Sequence, residues 1–151
     1  MLKKTTAGQP IKEFTGFYSF LGIDFPCWIY YEGFMYPSVS MAFQAARTKD
    51  VSIRRKISEL KDQAEFKKLI LEIVNTPDWN EKRLDVMIQL NRDKFKRNKD
   101  LNLKLFATQN RELINGYERG GDAEVFWGMI MRNNQFEGLN TLGKIITEIR
   151  E

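Results

Sequence analysis

Any chemistry in this chain has to be done without histidine. The 151 residues contain none, and a single cysteine, Cys27. Ser-His-Asp and Cys-His nucleophile systems are excluded, as are histidine-ligated zinc and cysteine-rich metal sites. Proton transfer falls to Asp, Glu, Lys, Tyr or the lone thiol, so carboxylate chemistry without a metal is the leading option if the chain is an enzyme, and no cofactor is expected. The stretch YPSVSMAFQAAR, residues 36 to 47, raises the question of where such a group would stand. Pro37 and Ser38 open a helix with Ser38 as its N-cap, and Val39, Met41, Ala42, Phe43, Ala45 and Ala46 bury most of its start. Ser40 is the odd residue, a short hydroxyl in a first turn whose amides favour a carboxylate. Gln44 follows one turn later on the same face. There it serves equally well as a ligand contact or as a structural anchor.

The elements that position these residues fit one domain with a sizeable core. The chain is 42% hydrophobic and 13% aromatic, which argues against disorder. No apolar run approaches the roughly 20 residues that span a bilayer. The start, MLKKTTAGQPIKEF, lacks the apolar core of a secretory signal, and one cysteine cannot form an internal disulfide. The expectation is a cytoplasmic protein with no membrane partner and a flexible N-terminal segment at 1–13. A net charge of +4 is compatible with phosphate-bearing ligands and does not by itself indicate nucleic acid. The densest basic patch, RDKFKRNK at 92–99, reads first as the solvated end of a helix and second as a phosphate-facing surface. Lys, Asn and Ile usage suits an AT-rich genome such as a phage's.

CWIYY and FMY flank Glu32-Gly33 and predict a short hairpin. Apolar spacing over 51–74 predicts a second helical stretch after the one at Ser38. Thr76-Pro77-Asp78 predicts a restart, with Thr76 capping, Pro77 at the first helical position, and Leu84, Met87, Ile88 and Phe95 along one face. Asp100 caps a short helix carrying Leu101, Leu105 and Phe106. NGYERGGD, 115–122, reads as a loop, FWGMIM, 126–131, as a buried strand, and NNQFEG as a turn. Leu142, Ile145, Ile146 and Ile149 mark a terminal amphipathic helix. The sum is an α+β domain, predominantly helical, with a small sheet.

The order of these pieces resembles the YbiA-like family, also called NADAR. In that family a Phe-Leu-Ser-Asn-Phe-Tyr-Pro segment precedes a Tyr-Pro-Ser-Val-Glu-His-Ala-Phe-Gln-Ala helix start; here FLGIDFP, 20–26, and YPSVSMAFQA, 36–45, stand in their places. Trp79 and Met87 fit the family's Trp-to-Met helix, and KFKRN, 94–98, its Lys-Phe-x-x-Asn. LFATQNREL, 105–113, resembles Leu-x-x-Thr-Gly-x-x-x-Leu. EVFWG, 124–128, resembles Asp-x-x-Trp-Gly, and GLNTLGK, 138–144, matches Gly-x-Asn-x-Leu-Gly-Lys, with Arg150 closing the pattern. The matches run from about residue 14 to 150.

The resemblance implies a YbiA-like fold, a pocket for ADP-ribose or a related phosphorylated ribosyl ligand, and hydrolysis of an N-glycosidic bond. Substrate classes in the family include phosphorylated riboflavin-pathway intermediates and ADP-ribosylated guanine. Such cleavage builds oxocarbenium charge on the sugar, which a nearby carboxylate stabilises. By resemblance Ser40 occupies the place of that carboxylate, and Met41 that of the adjoining histidine. Gly22-Ile23 replace a Ser-Asn pair, Gln109 a glycine and Asn115 an acid. Glu124 is the best retained acid, with Asp24 and Glu32 as alternatives, so Ser40 and Glu124 are the catalytic candidates. Ligand contacts implied by the motifs are Phe20, Gly22, Asp24, Phe43, Gln44, Arg47, Trp79, Lys94, Trp127 and Asn140. Trp79 and Trp127 could stack a base, although core packing is the stronger reading. Asn140 is expected to cap the last helix, with Gly143 allowing close packing. Ser40, Gln44, Arg47 and Trp127 are expected to converge on one concave site. The alternative is a protein-interaction module that keeps the fold without the ligand.

Overall fold

The computed structural model describes residues 8–151 and divides into two compact units. The first part of the predicted N-terminal segment, 1–7, lies outside the described residues.

One unit is Ile23–Lys99. Its hairpin joins β1 (Ile29–Tyr31) to β2 (Phe34–Tyr36), in a register that pairs Tyr30 with Met35. Glu32 and Gly33 both take positive φ, 44° and 95°, the geometry that matches the twist of the strands they connect. Helix α1 (Val39–Ala45) starts as the sequence predicts, with the Ser38 hydroxyl accepting from the Met41 amide at 3.1 Å. The stretch expected as one helix is two, α2 (Val51–Glu59) and α3 (Gln63–Ile70). Leu60 turns extended, and the Asp62 carboxylate then accepts from the Ala64 amide at 2.9 Å, so a new N-cap outweighs continuous apolar spacing. Leu71 and Val74, read as part of that helix, are 84% and 82% exposed beyond its end.

Helix α4 (Trp79–Arg97) begins two residues later than Pro77 predicts, with Asp78 at the N-cap position. Thr76 does not cap with its side chain; its carbonyl accepts from the Trp79 amide at 3.0 Å. Helix α1 packs on α2 and α4, and the hairpin packs on all three. Ile29, Tyr36, Val39, Ala42, Met87 and Leu90 are buried at the heart of this unit.

The other unit joins the residues up to Gly22 with Asp100–Glu151. Ile11 is buried and bridges Leu113 in parallel, followed by a short 3-10 helix over Gly16–Leu21. Helix α5 (Lys99–Ala107) crosses from the first unit and holds Asp100 inside its first turn, where the sequence reading put it at the cap. Part of the predicted loop is a strand, β3 (Gly116–Tyr117). The predicted strand at Phe126 and Trp127 is instead the end of α6 (Asp122–Trp127). There the Glu124 carboxylate accepts from the Gly121 amide at 2.7 Å and closes the first turn. Gly128 ends that helix in an extended conformation, and β4 (Met129–Arg132) follows. Asn133 and Asn134, both at positive φ, turn the chain into β5 (Gln135–Glu137). The sheet order is β3-β4-β5, parallel then antiparallel. Helix α7 (Thr141–Arg150) buries Leu142, Ile145 and Ile146. Among the described residues no helix is long and apolar enough to cross a membrane.

Candidate functional site

In the Ile23–Lys99 unit, α1 carries Ser40, Phe43 and Gln44. The Ser40 amide donates to the Ile23 carbonyl at 2.9 Å, which ties the helix start to the segment carrying Asp24, Phe25 and Cys27. Ser40 itself is half-buried and Asp24 exposed. Phe43 and Trp79 meet with ring centroids 5.1 Å apart, and Trp79 is buried.

Gln44 and Arg47 are in direct contact. The Arg47 guanidinium donates Nη1 to Gln44 Oε1 and Nε to Asn75 Oδ1, each at 2.6 Å. Both acceptors are neutral amides, so they orient the guanidinium without cancelling its charge. Desolvation lowers its pKa, which the guanidinium tolerates without losing its proton.

Lys94 sits on α4 with no solvent exposure. Its Nζ lies 5.1 Å from the Phe95 ring centroid and 5.9 Å from that of Phe25. Burial pulls its pKa down to about 8, against the opposing pull of Cys27 and Asp24. Burial pushes the Cys27 thiol up, with the Lys94 charge acting against it. A cation therefore stands beside the 23–27 segment that the Ser40 amide touches. Glu32, the alternative acid, forms a 2.8 Å ion pair with buried Arg54, whose hydrogen bond holds its pKa below the ordinary value.

Phe20, Gly22, Glu124, Trp127 and Asn140 belong to the other unit. Phe20 is buried and Gly22 follows the 3-10 helix. Glu124 caps α6, and Trp127 meets Phe126 edge-on at 4.7 Å. Asn140 stands at the N-cap position of α7 with φ 52°, but its side chain does not cap. Oδ1 accepts from the Asn115 amide at 2.9 Å and Nδ2 donates to the Leu113 carbonyl at 3.0 Å. Two buried strand-edge groups compete for the amide more effectively than the helix start does. A Cβ on Gly143 would run into the Leu113 carbonyl, so close packing does require this glycine. Arg150 donates Nη1 to Thr108 Oγ1 and to the Arg111 carbonyl, each at 2.9 Å.

Sequence reasoning missed two partners, Asn75 and Asn91. Asn75 was visible only as a polar residue before Thr76-Pro77. Asn91 is a fully buried asparagine one turn before Lys94, on a helix face otherwise read as apolar. A surface cavity of about 440 Å³ is lined by Lys56, Glu59, Leu60, Glu65, Lys68, Leu69 and Glu72, and by none of the residues read as site residues. Among the described residues no group of Cys, Asp and Glu is arranged to hold a metal ion.

The chain belongs to the NADAR domain family, whose model matches residues 4–151. The fold is similar to the NMR structure of the E. coli protein YbiA, with a TM-score of 0.78 at 21% identity over 97% of this chain and 85% of that one. Among curated relatives, a riboflavin biosynthesis protein of Vibrio vulnificus (strain YJ016) is 31% identical over 136 residues, covering 89% of this chain and 35% of that protein. An N-glycosidase of Acanthamoeba polyphaga mimivirus is 28% identical over 121 residues, covering 74% of this chain and 69% of that protein. The chain thus spans about a third of the Vibrio protein's length.

Proposed function

We propose that this NADAR domain binds ADP-ribose or a related phosphorylated ribosyl ligand in the cytoplasm and lacks the family's ordinary carboxylate-driven hydrolysis. The observation that carries the reading is Lys94, a wholly buried cation beside the segment that the Ser40 amide contacts. A cationic side chain beside this segment suits an anionic ligand, and Arg47, oriented by neutral amides, is a second group suited to phosphate.

N-glycosidase activity is named for the mimivirus relative. In this chain the position read as the family's carboxylate holds Ser40, a hydroxyl that is no base without an activator. Glu124 spends one carboxylate oxygen on the Gly121 amide. Asp24, exposed and near Lys94, is the acid best placed to act if any hydrolysis survives. The test is thermal unfolding with and without ADP-ribose, on the wild type and on Lys94→Met. The reading predicts a wild-type shift that the variant loses. No shift in the wild type at millimolar ligand would overturn it.

A second reading, the interaction module, has one observation in its favour. Trp28, Tyr30 and Met35 are 56%, 45% and 38% exposed, with Tyr30 and Met35 paired across the hairpin. Exposed aromatics grouped this way mark contact surfaces. Retention of a partner by the wild type and its loss in Trp28→Ala would favour this reading.

A further inference from the structure

The hairpin of the Ile23–Lys99 unit turns one face to solvent. Trp28, Tyr30 and Met35 are exposed on it, while Ile29, Tyr31 and Tyr36 are buried behind them. Burial alternates from Trp28 to Tyr31, so the Trp28 and Tyr30 rings project on the same side, roughly 7 Å apart along the chain. Met35 faces Tyr30 across the strand pair. Two α4 side chains cover the outer edge of β1. Asp93 Oδ2 accepts from the Tyr30 amide at 2.8 Å, and Asn98 Nδ2 donates to the Trp28 carbonyl at 3.2 Å. An added strand would have to displace both, so this edge is closed to main-chain pairing. What the face offers a partner is its side chains.

The end of α4 sets positive charge beside these rings. The Arg97 guanidinium lies 5.8 Å from the Tyr30 ring centroid, and the Asp93 carboxylate holds it through Nε at 3.1 Å and Nη2 at 2.9 Å. Arg97 is thereby oriented, and its charge is offset. Lys96 stands three positions from Asp93, on the flank of the helix next to the hairpin contact, and Arg92 precedes it by one turn. Both are exposed, and no ion pair among the described residues involves either. The basic run at 92–99 therefore keeps uncancelled charge in solvent, beside an aromatic face.

Rings repeated along an extended chain, with exposed cations beside them, match a single-stranded nucleic acid, whose bases stack on aromatic faces while its phosphates follow the positive charge. A lipid surface calls for an apolar face to insert, and Met35 is the one aliphatic side chain of the three. A polyanion also uses the cations that a neutral protein partner would leave idle. We propose that the exposed face of the β1–β2 hairpin binds single-stranded nucleic acid, with successive bases on Trp28 and Tyr30 and the backbone passing Lys96 and Arg92. This surface shares no residue with the groups read as ribosyl contacts, and the proposal does not depend on that reading. A duplex, whose bases are already stacked on one another, binds it more weakly.

The experiment measures fluorescence anisotropy of a labelled oligothymidylate with the wild type, Trp28→Ala, Trp28→Phe and the Arg92→Gln, Lys96→Gln double variant, at several salt concentrations. The strand carries no ADP-ribose, so the result is independent of the ribosyl ligand. The expected result is saturable wild-type binding, about tenfold weaker in Trp28→Ala and largely restored in Trp28→Phe. In the double variant, log affinity should fall less steeply with log salt, by about 1.4 in slope for two lost phosphate contacts. Absence of wild-type binding, or affinities that none of the variants changes, would overturn the proposal. Equal affinity for a duplex would overturn the stacking. Binding of phosphatidylserine vesicles without binding of the strand would assign the face to a membrane and overturn it as well. Should Trp28→Ala fail to fold, tryptophan emission decides. Quenching of the wild type by the strand that Trp28→Phe loses supports the proposal, and quenching that persists in Trp28→Phe overturns it.

Discussion

A glutamate at position 40 would have to fit where a half-buried serine now stands, with its own amide already bonded to the Ile23 carbonyl. Acid–base groups contribute about 10²–10⁴-fold only when well positioned, and productive geometry tolerates about 0.5 Å. Ser40→Glu alone is therefore expected to give little N-glycosidase activity. The combined Gly22→Ser, Ile23→Asn, Ser40→Glu, Met41→His variant should exceed it; full activity from the single change would show that the surroundings never diverged. Lys94 makes a prediction with a definite sign. Its folded pKa of about 8 lies below the ordinary 10.5, so above pH 8 the unfolded chain binds the proton more tightly and stability rises with pH. The Cys27 thiol, raised by burial, works the other way above its ordinary 9.0, which leaves pH 8 to 9 as the clean window. Across it the wild type should gain about 1 kcal/mol on Lys94→Met, measured by denaturant unfolding at each pH. A flat difference would mean that Lys94 is solvated. The sequence named Lys94 through its motif, but its burial depends on packing that spacing along the chain does not reveal. The Arg47–Asn75 bond joins residues 28 apart and was equally out of reach.

At the scale of elements, local signals were legible where a side chain bonds its own neighbourhood. Ser38 is such a case, capping α1 as read. Legibility failed where two local preferences compete. Over 51–74 the apolar period continues through a break that Asp62 makes by capping α3. At 126–131 a short apolar run is equally strand and helix by pattern; the Glu124 cap and Gly128 divide it between α6 and β4. Asp62→Ala should accordingly cost about 1 kcal/mol of stability, read from the denaturation midpoint, and a change within 0.2 kcal/mol would remove the cap from the account. Asn140→Ala should cost more, about 2–4 kcal/mol, because it strips partners from the Asn115 amide and the Leu113 carbonyl at a positive φ. A loss no larger than that of Asp62→Ala would show that these groups find other partners.

At the scale of the whole molecule, the ordered motifs made the family and the α+β fold legible, since they run along nearly the full chain rather than depending on one pattern. The ligand is a different matter, because it depends on a handful of side chains whose polar atoms are shared between structure and recognition. Asn140 and Glu124 have bonded theirs within the fold, while Arg47 is held by neutral amides that leave its charge uncancelled. A ligand that binds only the folded chain should stabilise it by about 2.7 kcal/mol at a hundred times its Kd. The most direct measurement is a calorimetric titration of ADP-ribose into the wild-type protein, with free ribose release from a ribosylated amine followed in parallel. The account predicts saturable binding to one site and no release above the protein-free control. Release at a catalytic rate would contradict the loss of hydrolysis, and absence of both binding and release would contradict the account at its centre.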